Sequence, residues 1–355
     1  MESLLENTGF ILLKYNEKIK IFDKAVELPY EWDELTGDNP YLTRDFLVFL
    51  EKEFPQGQKY YIFYNSNNKP DTIFTTFRNK ALNLGLLTKR KLLVDATMVA
   101  VPIWVKRPGI VLGKERAADA LLYIKKFKGC KFIQCIENSD IKLGYIRGTA
   151  APACTLDIKW KTFNEYMSAL RSNYRYRYNK ALKKSVALTM EILEDNEQFS
   201  SELYELYNQV EKAAKIKIDR LPIGFFRGKS FKTLVFYSNA LDKKPVGFVQ
   251  LLENNEELIF EFVGFDYSAN TEFQTYHRML LEIIRYGIEN NFKTIDFGQT
   301  ADDTKLKLGC RYEYLNVYLH LSNPIKHLFF ATLAKFIDYK PLKPNFTVFK
   351  EDELK

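Results

Sequence analysis

The segment EELIFEFVGFDYSANTEFQTYHRMLLEIIRYGIENNFKTIDFG, residues 256–298, decides the fold. Glu257 to Phe265 is apolar and aromatic at strand length, and it pairs with Val246 to Glu253 as a hairpin turning at Asn254 and Asn255. Within the strand, simple alternation points Phe260 and Phe262 one way and Glu261 the other. Thr271 and Gln274 then read as a capping box, and a helix follows to about Asn290. Its apolar positions Phe273, Tyr276, Leu280, Ile284 and Ile288 keep a 3.6-residue period, so one face packs on the sheet. Thr294 to Phe297 returns as a short buried strand. Hairpin, helix and strand in this order predict an α/β layer with a mixed sheet.

Working outward, Thr162 and Glu165 form a second capping box, opening a helix from Lys161 to Lys184. Phe199 to about Lys215 is another helix, Lys232 to Ser238 a strand, and Leu315 to Leu321 the last strand. The first half repeats the order. Asp45 to Phe54 is a short helix, and Tyr60 to Tyr64 and Asp71 to Phe77 are strands around the polar turn Asn65 to Pro70. Leu92 to Val105 is a further strand. Gly109 and Gly113 mark a loop before the helix Lys114 to Lys128, and Lys131 to Ile136 closes the half. The sequence thus predicts a duplicated α/β (mixed α+β) fold, each half a mixed twisted sheet flanked by helices. The Gly-, Ala- and Pro-rich stretch Tyr145 to Ala153 is the linker. The domains are 1–150, 151–325, and a C-terminal helix and tail over 326–355. The apolar side of that helix, Ile325, Leu328, Phe329, Leu333, Phe336 and Ile337, is expected to dock on the second domain, with membrane-surface contact the alternative.

The totals agree with two cores. The chain has 355 residues, of which 46% are hydrophobic and 15% aromatic, which excludes global disorder. Met1 is followed by no basic, apolar leader, and no apolar run reaches the roughly 20 residues of a bilayer span; a cytoplasmic protein is expected. Cys130, Cys135, Cys154 and Cys310 form no metal or disulfide pattern, and His277, His320 and His327 are too few for a histidine-rich metal site, so no metal is expected. A net charge of +7 is weak for a DNA binder and suits a phosphate-bearing partner.

Three pieces carry a family resemblance: the segment quoted above, DFGQT from Asp296, and the K-x-x-x-G element from Lys305 to Gly309. With the basic helix YMSALRSNYRYRYNKALKK from Tyr166, they resemble the second domain of double-GNAT (N-acetyltransferase) proteins. That grouping includes "peptidoglycan biosynthesis/recognition" acyltransferases and is similar to Fem-type aminoacyl transferases. The resemblance covers most of 155–325 and only the general order of the first half. It implies acyl transfer from a thioester donor, acyl-CoA or an acyl carrier, to a primary amine of a small molecule, peptide or lipid. The alternatives are an aminoacyl-tRNA donor or a non-catalytic binding protein of the same fold. The N-terminal domain is the candidate for a non-catalytic copy. The acyl donor and the amine acceptor are the expected partners, with no tightly bound cofactor and no DNA.

One departure bears on the donor. GNAT enzymes typically carry an R/Q-x-x-G-x-G/A loop whose N–H groups hold the CoA pyrophosphate. Here GFDYSANTEFQT has only Gly264, and Glu272 in the first helical turn would repel a phosphate. Gly109 and Gly113, ahead of the first-half helix, offer a weaker alternative seat.

Acyl transfer to an amine needs a base, an oxyanion donor and an acid for the leaving group. Glu261, a carboxylate inside an apolar strand, is the candidate base. Asp296, at a strand end, is placed to orient or deprotonate an amine. Lys305, where the Fem-like pattern has a lysine, is the candidate oxyanion or phosphate cation, expected at the surface. Gln299 and Thr300 are candidates for hydrogen bonds to the acyl or amide group. Tyr276 and His277 are candidates for lining the cleft. Arg171, Arg175 and Arg177 are candidates for phosphate recognition, because the helix's cations are uninterrupted by acids while Tyr166, Leu170, Tyr174, Tyr178 and Leu182 form its packing ridge.

Overall fold

The computed structural model describes residues 18–84, 92–137, 141, 143–214, 220–300, 302–337 and 346–350. In chain order the elements are β1 (Ile19–Phe22), α1 (Asp33–Thr36), α2 (Arg44–Glu53), β2 (Lys59–Tyr64), β3 (Pro70–Asn83), β4 (Leu93–Val99), β5 (Ile110–Val111), α3 (Ala117–Lys125), β6 (Cys130–Glu137) and β7 (Ile146–Thr149). There follow β8 (Ala153–Asp157), α4 (Phe163–Ala169), α5 (Ser172–Lys184), β9 (Leu188–Ile192), α6 (Ser201–Ala213), β10 (Phe231–Ser238), β11 (Lys244–Asn254), β12 (Glu257–Phe265) and α7 (Tyr267–Phe273). The chain ends with α8 (Thr275–Glu289), β13 (Thr294–Asp296), α9 (Asp302–Leu306), β14 (Arg311–Glu313), β15 (Leu315–Leu321) and α10 (Pro324–Ile337).

The fold is α/β, two mixed sheets flanked by helices, consistent with tandem GNAT-like domains. The compact units are Met1–Ala150 with Tyr314–Tyr339, and Ala151–Glu313 with Lys340–Lys355. In the first unit the sheet runs β1-β2-β3-β4-β6-β15-β7. Among the described residues only β4 and β6 pair in parallel, and α3 lies between them in sequence, as a parallel pair requires. Buried Leu121 and Ile124 of α3 join Phe63, Phe74 and Val99 of the sheet in one core.

In the second unit the sheet runs β14-β8-β13-β12-β11-β10-β9. Here too, among the described residues, a single pair is parallel, β12 with β13, and α7 and α8 make the crossover. Leu280, Ile284 and Ile288 of α8 are buried against Phe236, Val249 and Leu251. Each such side chain contributes about 1.5–3 kcal/mol of transfer free energy. Gly287 lets β13 lie close beneath α8, since a Cβ there would meet Ile295 at 2.8 Å.

Four sequence expectations are corrected. The strand Leu315–Leu321, assigned above to the second domain, is β15 and lies between β6 and β7 of the first sheet. Alternation along a strand does not reveal which sheet accepts it. The C-terminal helix α10 packs on β7 and β15 of the first unit, not on the second, while 346–350 of the tail belong to the second unit. The helix from Lys161 to Lys184 is two helices. Leu170 and Arg171 are extended between them, with ψ of 142° and 152°, and there Leu170 bridges Phe349 of the tail. Finally, the start of the central helix is not the Thr271–Gln274 box. Asp266 caps α7 by accepting from the Ser268 and Ala269 N–H groups, and left-handed Gln274 separates α7 from α8.

Candidate functional site

The parallel pair of the second sheet is short. It runs Glu257↔Thr294, Leu258↔Ile295, Ile259↔Asp296 and stops. Beyond Ile259, β12 continues along β11 to Phe265, while the chain after Asp296 stays on β8, with the Cys154 N–H donating to Gly298 O at 3.0 Å and the Phe297 N–H to Cys154 O at 2.8 Å. The two parallel strands therefore part company, and a wedge opens between Phe260–Phe265 and the turn Phe297–Thr300.

Glu261 sits where β12 is irregular. Gln250 pairs with Phe262 and Leu251 with Phe260, leaving Glu261 as the extra residue of a β-bulge. A bulge turns adjacent side chains to unexpected faces. Accordingly Phe260 joins the core under α8, whereas Phe262 packs on Phe225, Phe226 and Phe231. The simple alternation read from the sequence is corrected by that one inserted residue.

The opposite wall is a tight turn. Asp296 is 2% exposed, and its Oδ1 accepts from the Gly298 N–H at 2.8 Å. Gly298 and Thr300 have φ of 69° each, the left-handed region that glycine tolerates and threonine occupies at a cost. The short helix α9 brings Lys305 back beneath this turn. Its Nζ donates to Gln299 O at 3.0 Å and Gly298 O at 3.4 Å. Lys305 is only 3% exposed. The surface lysine expected from the sequence is thus a buried one. Burial holds its pKa below the usual lysine value, with Cys154, Cys310, Asp296 and Asp302 acting the other way. Burial pushes the Cys154 thiol up to about 12 and holds the Cys310 thiol well above its ordinary value.

Gln299 donates from Nε2 to Ala151 O, and its Oε1 is a buried acceptor with no partner. Thr300 is exposed at the tip of the turn. Tyr276 lies on Phe265, ring centroids 5.4 Å apart, and within the electrostatic reach of Cys154 and Cys310. Asp296, Gln299, Lys305 and Tyr276 are therefore brought to one region. His277 belongs to a second group, 6.5 Å from the Tyr178 ring. Burial, then Arg177, lowers its pKa.

The basic helix divides its labour. Arg175 donates to Ser168 O and Leu170 O, both at 3.2 Å, capping α4, and Arg171 Nε donates to Phe349 O at 3.1 Å. Both also line an open groove of about 620 Å³ with Ser172, Asn173, Tyr174, Thr347 and Lys350. Arg177 is exposed. The ridge is buried as read, and two of its hydroxyls hold the K-x-x-x-G loop: Tyr178 donates to Lys307 O at 2.6 Å and Tyr166 to Leu308 O at 3.0 Å. Gly309, φ 98°, has the Phe349 ring where a Cβ would be, 2.2 Å away.

At each central-helix N-terminus a side chain of the same unit takes part of the backbone. In the second unit Asn270 Oδ1 accepts from the Tyr276 N–H at 2.9 Å, and Glu272 belongs to α7 rather than to the first turn of α8. In the first unit the Asp71 carboxylate accepts from the Arg116 N–H at 2.8 Å and the Glu115 N–H at 3.3 Å. Gly113 there faces Asp71, not a ligand. Gly264 serves packing, as a Cβ would strike Phe248 and the α6 backbone at Leu206 and Tyr207. Asn270, Asp71 and the tail residue Phe349 were not singled out from sequence. The Asp-Tyr-Ser run from Asp266 was the available signal for a separate capped helix.

Residues 168–306, within the second unit, match the model of the acetyltransferase (GNAT) domain family. Among solved structures the chain is similar to L-PGS from Bacillus licheniformis, at 12% identity and TM-score 0.50, covering 82% of this chain and 94% of that one. It is also similar to a conserved protein of unknown function from Bacteroides thetaiotaomicron, at 10% identity and TM-score 0.51, covering 85% and 98%. FemX aligns at 13% identity and TM-score 0.49, covering 76% and 89%. At these identities the likeness is one of fold. No curated protein matches the chain by sequence.

Proposed function

We propose that this protein is an acyltransferase that moves an acyl group to a primary amine within the wedge of the second unit. The observation that carries the reading is the parting of β12 and β13 after Ile259 and Asp296, with Glu261 bulged at the opening. In this reading the amine nitrogen attacks the donor carbonyl while Glu261 takes its proton. The C–N bond forms, the tetrahedral oxyanion collapses, and the bond to the donor sulfur or oxygen breaks with return of the proton to the leaving group. Gln299 and Thr300 supply hydrogen bonds to the acyl or amide group, and Tyr276 lines the approach. Asp296 and Lys305 act as positioning residues, because their polar atoms are engaged in holding the turn.

The donor of first choice is a thioester, acyl-CoA or an acyl carrier. The Asn270 side chain on the Tyr276 N–H at the start of α8 favours a second donor, an aminoacyl-tRNA, whose phosphates need no pyrophosphate seat there. In either case Arg171, Arg175 and Lys350 at the groove, and exposed Arg177, supply the cations for a phosphate-bearing donor. A donor panel tests this. Free thiol release from acyl-CoA, and loss of radiolabelled amino acid from charged tRNA, are followed with a mixture of primary amines. Turnover with one donor, reduced in Glu261→Gln, supports the reading. Binding of a donor without turnover would make the chain a non-catalytic binding protein, and neither binding nor turnover would overturn the proposal.

A further inference from the structure

The described part of α10 leaves a face uncovered. Ile325, Leu328 and Phe329 are 79%, 67% and 58% exposed, and their spacing of three and four puts them on one side of the helix. Phe330 points the other way, into the first-unit core. Leu143, also exposed, extends the apolar area. It adjoins Gly144, whose backbone hydrogen-bonds the His327 ring. Large apolar side chains grouped at a surface mark a contact site.

Among the described residues of α10, β7 and β15 the charges have one sign. From Pro324 to Ala334 the helix carries Lys326 and no acid. The strands it packs on, β7 and β15, carry no carboxylate, and their one permanent cation, Arg147, is on the sheet face of Tyr318 rather than that of Phe330. Lys125 lies close enough to depress both His320 and His327. A second copy of this chain fits poorly, because a two-fold contact would set each cation against its own like. An anionic lipid surface fits both properties: acyl chains take the apolar face and headgroup phosphates take the cations.

We propose that α10 is an interfacial helix that lies on an anionic bilayer surface, inserting Ile325, Leu328 and Phe329 with Lys326 and Lys125 at the headgroups. The test is flotation of the full chain with vesicles of phosphatidylcholine alone, and of equal parts phosphatidylcholine and phosphatidylglycerol. The wild type should float with the anionic vesicles and be released by high salt. Leu328→Glu with Phe329→Glu should lower the partition coefficient by roughly tenfold or more, and Lys326→Glu should lower it less. Because these side chains are exposed, unchanged melting and near-ultraviolet dichroism will show that the variants fold. No flotation by the wild type, equal flotation by the double variant, or equal flotation on both vesicle types would overturn the proposal. A dimer dispersed by the same substitutions, without flotation, would assign the face to a second copy instead.

Discussion

Replacing Lys305 separates a structural cation from a solvent-facing one. Lys305→Met keeps length and apolar bulk but removes the charge and its bonds to Gln299 O and Gly298 O. It also leaves Asp296 and Asp302, 2% and 8% exposed, without the buried cation that offsets them. Removing one member of a buried charge set typically costs about 3–5 kcal/mol. For a unit of this size each 1 kcal/mol shifts the melting temperature by about 2–4 °C. A fall of about 6–20 °C is therefore expected by differential scanning calorimetry. Lys305→Met combined with Asp296→Asn should recover at least about 1 kcal/mol, because the pair couples. A melting temperature within about 1 °C of wild type, with a normal double variant, would refute the argument and return Lys305 to the surface role its sequence context suggested.

Other outcomes follow from the same structure. Glu261→Gln should reduce kcat by about 10²–10⁴-fold if Glu261 is the base, with little change in melting, measured on whichever donor turns over. Phe349→Ala should destabilise the second unit by about 3–5 kcal/mol, read as a lower urea midpoint, because its ring fills the space over Gly309. Burial lowers His320 to about 4, with Lys131 adding to the effect. Between that value and the ordinary histidine pKa of about 6.5, the unfolded chain binds more protons than the native one. Stability contributed there is present above about pH 6.5 and lost as pH falls, so His320→Gln should flatten the urea midpoint across that window.

The second-unit layers could be read in the sequence because Leu280, Ile284 and Ile288 and the β11–β12 hairpin obey local periods. The bulge at Glu261 could not, because one inserted residue leaves the apolar composition of the strand unchanged. Nor could the place of β15, whose alternation suits either sheet. The basic helix was visible, but the break at Leu170 depends on Phe349, 179 positions away, and no local rule reports it. Of the candidate residues, Asp296, Gln299, Lys305 and Tyr276 gather in one region of the second unit. Their accessibility was misjudged for Lys305, because burial is set by the return of α9 beneath the turn rather than by any property of the lysine.

The insertion of β15 has a consequence for how the chain is made. Leu315 pairs with Glu137, so on the ribosome β6 is complete long before its neighbour exists. At about 5–20 residues per second, the interval is on the order of 9–36 s. During it the second unit is synthesised while the first carries an unpaired β6 edge, a template for mispairing with other nascent chains. Vectorial synthesis therefore delays closure of the first sheet until after nearly all of the second has emerged, reversing the usual order in which the N-terminal part of a protein is finished first.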